Sequence, residues 1–130
     1  NADNKVQDYE GISGADLTSA QRLDLLEVIR AYIGNLRDPH AVITMGEIAA
    51  HLDNTFFAWI GATEEDAVFY YRIHSPVIMI EFDHQNPVGT LMLNEGGVPT
   101  RDHIHTVVRT PNGNDYGKDL LAQHLASQAH

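Results

Sequence analysis

Arg72-Ile73-His74-Ser75-Pro76-Val77-Ile78-Met79-Ile80-Glu81-Phe82-Asp83-His84-Gln85 and His103-Ile104-His105-Thr106-Val107-Val108-Arg109 are the two stretches whose reading decides the fold. Both are apolar runs studded with ionisable residues. Val77 to Phe82 is almost wholly apolar, as in a strand covered on both faces. Pro76 separates it from the preceding run by a turn or a kink. Side chains on a strand alternate between faces. Glu81 and Asp83 therefore share one face of the first strand, with Phe82 and His84 on the other. His103, His105, Val107 and Arg109 share one face of the second.

The flanking sequence supplies the rest of a small α+β domain. Upstream, Thr55 to Ile60 and Val68 to Ile73 are aromatic and β-branched and read as further strands. Residues 85–102 hold two Pro, three Gly and two Asn, which makes them a long loop rather than a tight hairpin. Thr18-Ser19-Ala20-Gln21 has the spacing of a capping box. Leu23, Leu26, Ile29, Ile33 and Leu36 then recur at helical intervals, predicting a helix from about Ser19 to about Asn35. Asp38-Pro39 marks a break. Thr44-Met45-Gly46-Glu47 repeats the capping pattern and predicts a short helix to about Leu52, with Met45, Ile48 and Leu52 inward. Residues 1–16 read as an extended lead-in. Pro111-Asn112-Gly113-Asn114 is a turn signal, and a closing helix is expected through Leu120, Leu121, His124 and Leu125. The expectation is a single domain over residues 1–130. It has a small antiparallel sheet of three to four strands, packed with two N-terminal helices and one C-terminal helix.

Composition narrows the function classes. Eighteen acidic residues against eight Lys and Arg give a formal net charge of −10, which disfavours a nucleic-acid backbone or an anionic membrane as partner. No cysteine is present, so disulfides, thiolate ligands and a Cys nucleophile are excluded. No apolar run is long enough to span a bilayer. The chain begins at Asn1, so a targeting segment removed by processing is compatible with the sequence, and the compartment, secreted or not, stays open.

The ionisable residues point to a site. If the strands carrying Glu81 and His105 pair antiparallel with Asp83 opposite His103, then Glu81 stands opposite His105. Directly opposed Cβ atoms are about 4.5–5.5 Å apart. Two imidazoles and two carboxylates would then fall within one ligand sphere, and Fe, Cu, Mn and Zn all accept His with carboxylate. The metal set is His103 and His105 with Glu81 or Asp83, or it includes His84 from the loop edge. The unused carboxylate would serve as general base or orient a His. Arg72 or Arg109 would hold a substrate anion, or would simply pair with Glu81 and Asp83. No nucleophile-elbow Gly-x-Ser-x-Gly, dinucleotide fingerprint or P-loop occurs. Phe56, Phe57, Trp59, Phe69, Tyr70 and Tyr71 read as core.

Long ordered strings carry a family resemblance. They run from Arg72 to Pro76, from Ile80 to Gln85, and from His103 through Asn112-Gly113-Asn114-Asp115-Tyr116-Gly117-Lys118-Asp119 to Leu121. Asp16 to Arg22, Phe57 to Gly61 and Tyr9 to Ile12 agree too. Together they resemble the C-terminal portion of the family called domain of unknown function 3500. The resemblance implies a fold unit that belongs to a longer protein, or one that completes its core by dimerising. It implies no reaction.

The expected function is a metal-dependent enzyme using a divalent transition metal on a small or polymeric organic substrate, oxidoreductase slightly ahead of hydrolase. The alternatives are a binding or interaction module, whose partner is a second copy or the missing upstream half, and a metal-free His–Asp acid–base enzyme.

Overall fold

In the computed structural model, which describes residues 7–87 and 97–111, a meander of antiparallel strands forms one sheet in sequence order. The strands are β1 (Ile12–Ser13), β2 (Phe56–Gly61), β3 (Phe69–His74), β4 (Met79–His84) and β5 (Ile104–Arg109). Two helices, α1 (Ser19–Ile33) and α2 (Asp38–Ala50), lie between β1 and β2. The sheet thus has five strands rather than three to four. The expected closing helix falls outside the described residues.

The capping box forms as the sequence implies. Thr18 Oγ1 accepts from the Gln21 amide at 3.3 Å, and Gln21 Oε1 accepts from the Thr18 amide at 2.9 Å. The second helix begins six residues earlier than the Thr44 reading, because Asp38-Pro39 opens it. Proline suits the first helical turn, where its missing N–H would have had no partner, and Asp38 adds favourable charge there. Ile48 and Leu52 point inward as expected, with Met45 half-buried beside them.

The helices cover one face of the sheet. Leu25, Ile29 and Ile33 of α1 and Ile48 of α2 pack on Ile73 of β3 and Ile80 of β4, with Phe57 and Tyr71 at the margin. Burying a side chain of this size is worth about 1.5–3 kcal/mol. The same face continues past the helices as a ladder of rings. Trp59 stacks on Phe69 at 4.4 Å, and Tyr71 stacks on Phe82 at 5.2 Å with planes only 2° apart.

The other face is polar, and its closed end lies under the lead-in. Tyr9 covers Phe56 and His74, with ring centroids 5.0 and 4.3 Å away. Gly11 makes this crossing feasible. Its φ is +100°, and a Cβ there would collide with the Phe57 carbonyl. The lead-in is therefore structured where the sequence suggested only an extended segment. A two-residue strand carries no alternation to read.

Candidate functional site

The polar face gathers ionisable groups from three adjacent strands. Tyr70, Arg72 and His74 of β3 stand opposite Asp83, Glu81 and Met79 of β4. Asp83, Glu81 and Met79 in turn face His105, Val107 and Arg109 of β5. The register between β4 and β5 thus differs by two residues from the one that sets Asp83 against His103. A two-residue shift preserves parity, so every side chain keeps its face. Asp83, not Glu81, is the carboxylate beside His105.

The closed end is a network built around Arg72. Its guanidinium donates to Gln7 Oε1 at 2.6 Å and pairs with the Glu10 carboxylate, so the lead-in supplies its counter-ion. Glu81, although directly opposite, accepts instead from the Tyr70 hydroxyl at 2.6 Å. Burial, then the bond to Glu81, raises the Tyr70 pKa and keeps the phenol protonated as donor. His74 is only 2% exposed. Burial first, then the charges of Arg72 and Arg109, lower its pKa. Arg72 Nε and His74 Nδ1 are buried without a partner. Arg109, at the far corner, donates Nε–H to the Met79 sulfur at 3.0 Å.

The open end holds the histidine pair. His103 Nδ1 lies 2.5 Å from the Asn86 carbonyl oxygen. A carbonyl only accepts, so the proton sits on Nδ1 and the neutral ring presents an unprotonated Nε2. That Nε2 lies 2.8 Å from His105 Nε2, the rings meeting edge to face with centroids 4.6 Å apart. Asp83 accepts from Gln85 Nε2 at 2.9 Å.

The structure therefore brings His103 and His105 together, with Asp83 across from His105. Glu81 is engaged by Tyr70, Arg72 by the lead-in and Arg109 by Met79. His84 is on the opposite face. It is 5% exposed, its Nδ1 lies 3.1 Å from the Phe69 amide and 3.0 Å from the Phe69 carbonyl, and its ring meets Phe69 and Phe82 edge-on. It is packed into the end of the aromatic ladder and does not converge with His103 and His105. Among the described residues, no group of three His, Asp or Glu side chains is arranged to hold a metal ion. Sequence pattern does not reveal Gln7 and Glu10, which reach Arg72 across more than sixty positions, nor the Tyr70–Glu81 pair, eleven positions apart on neighbouring strands whose register the pattern leaves open. An apolar groove of about 320 Å³ lies elsewhere, between α1 and the β1 edge, lined by Ile12, Leu17, Leu25, Val28 and Phe57 with Gln21 and Asp24 at its rim.

Residues 1–118 match the model of a family described as a protein of unknown function, DUF3500, and the chain belongs to that family. No curated protein and no solved structure matches it. Among the described residues, no helix is long and apolar enough to cross a membrane.

Proposed function

We propose that the chain is a metal-dependent enzyme whose ion is held at the open end of the polar face by His103 and His105. One observation carries this reading: the Asn86 carbonyl fixes the His103 tautomer so that its Nε2 lone pair meets His105 Nε2 at 2.8 Å. A backbone carbonyl on Nδ1 is the usual outer partner of a ligating imidazole. Two nitrogens on a tetrahedral ion with bonds of about 2.0–2.1 Å are roughly 3.4 Å apart, so a small opening of the pair admits one. Asp83 is the third donor, reached by turning away from Gln85. Three protein ligands leave a position for substrate, where a divalent ion polarises an oxygen or acidifies a water. The class is redox on iron or copper, with hydrolysis on zinc as the alternative. The substrate is an organic molecule, small or polymeric.

Elemental analysis of untagged protein after equilibration with each metal, in wild type, His103→Ala and His105→Ala, tests the reading. Near-stoichiometric uptake lost in both variants, with unchanged melting, supports it, and the element bound selects the assay. No uptake by the wild type overturns it. A second reading rests on the same contact taken as a hydrogen bond: His105 Nε2–H donates to His103 Nε2, and the pair relays a proton beside Asp83. It expects activity that a chelator does not alter.

A further inference from the structure

Among the described residues β5 is the last strand of the sheet, and nothing pairs with its outer side. Its composition invites pairing. Apart from Arg109 at its end, His103 to Thr110 carries no permanently charged residue, and it has no Pro, so two of the side-chain devices that blunt an edge strand are nearly absent from it. The chain's excess negative charge is also absent there. Ile104, Val107 and Val108 are 47, 44 and 48% exposed, spread over both faces of one strand.

The backbone settles which groups point outward. The Gln85 amide donates to the His103 carbonyl at 2.8 Å, in line with the β4–β5 register. Antiparallel hydrogen bonding alternates residue by residue. His103, His105, Val107 and Arg109 therefore spend their N–H and C=O groups on β4. Ile104, Thr106 and Val108 direct theirs to the free edge. That set is symmetric about Thr106.

We infer that β5 pairs antiparallel with β5 of a second copy, across a two-fold axis at Thr106 and perpendicular to the sheet. This register uses every outward backbone group of the strand. It sets Ile104 against Val108 of the partner subunit, a β-branched cross-strand pair, and Thr106 against Thr106 of the partner subunit. The helices of both copies lie on one side of a continuous sheet, and the polar faces are continuous on the other. His103 then stands opposite Arg109 of the partner subunit, so each histidine pair gains a cationic neighbour from the other copy. The pairing does not depend on metal.

The test is the mass of the 130-residue chain by light scattering, for wild type, for Ile104→Lys with Val108→Lys, and for Ile104→Glu with Val108→Glu. Both sites are about half exposed, and circular dichroism confirms that the variants fold. The wild type is expected at twice the 14.4 kDa chain mass and each variant at the single-chain mass. Mixing the two variants is expected to restore the doubled mass, because lysine then meets glutamate at both pairs. A single-chain mass for wild type overturns the proposal, including the case where slow exchange at Ile104, Thr106 and Val108 shows another segment on the edge. So does a dimer that survives the lysine variant, or a mixture that stays at the single-chain mass.

Discussion

His74 sits where a charge is unwelcome. Desolvation and two nearby guanidinium groups hold its pKa below the ordinary 6.5, against the opposing influence of Glu81 and a backbone bond to Asp8. The unfolded chain therefore binds a proton that the folded chain refuses. Stability from this group is fully present above about pH 6.5 and is lost as pH falls toward the depressed folded value. His74→Gln keeps a polar side chain without the titration. Its melting temperature is expected to vary less between pH 7 and pH 5 than that of wild type, as read by calorimetry. Equal slopes would show that His74 is not the group responsible. Arg72 makes the complementary case. Its carboxylate partner, Glu10, is exposed while the guanidinium is 10% exposed. Removing Glu10 leaves a nearly buried cation with Gln7 alone. Glu10→Ala is expected to destabilise by more than the 0–1 kcal/mol of a surface pair, measured by urea unfolding.

At the scale of elements, the capping box of α1 is the clearest test of local design. Thr18→Ala removes one side of a reciprocal pair and is expected to cost about 1 kcal/mol in chemical denaturation, with no change in metal uptake. How much of the architecture was legible follows from what each element leaves in the sequence. α1 has both a cap and a periodic stripe, and the expected start at about Ser19 agrees with the observed one. The start of α2 is ambiguous in sequence because Asp38-Pro39 signals a break as readily as it opens the next helix, and the structure shows the second. Composition marks β4 and β5, but the long stretch of sequence between them carries no turn of defined length, so register is undetermined by sequence. Only parity survived, which is why the face shared by Glu81, Asp83, His103 and His105 was legible while the facing partners were not. β1 is held by Gly11 and by pairing with Phe56 and Phe57, neither of which shows in its own two residues. His84 illustrates the remaining ambiguity. A histidine in a polar-looking string can be packed against rings, and only its neighbours on β3 reveal that.

At the scale of the whole molecule, the described residues form a sheet with unequal coverage. Helices seal the half of one face that carries Ile73 and Ile80, and the lead-in seals the half of the other that carries Arg72 and His74. The strands farther along keep their surfaces open at Ile104, Val107 and Val108. Truncation in the sealed part is expected to be costly. Ile29→Ala removes a side chain with no exposure at the centre of the cluster and should destabilise by about 2–5 kcal/mol in denaturant titration. Val107→Ala, on the open part, is expected to stay within about 0.5 kcal/mol. Similar losses at both sites would mean that coverage is even after all.

The ring ladder gives the protein its own optical probe. Trp59 is the only tryptophan, and its indole, 38% exposed, stacks on Phe69 at one end of that ladder. It reports on β2 and β3 and stands three strands away from β5. Fluorescence emission will therefore shift when the domain as a whole comes apart, yet stay constant if β5 alone peels from the sheet. An emission trace that lags behind amide exchange at Val107 would reveal such peeling as a separate, earlier event, with no label introduced.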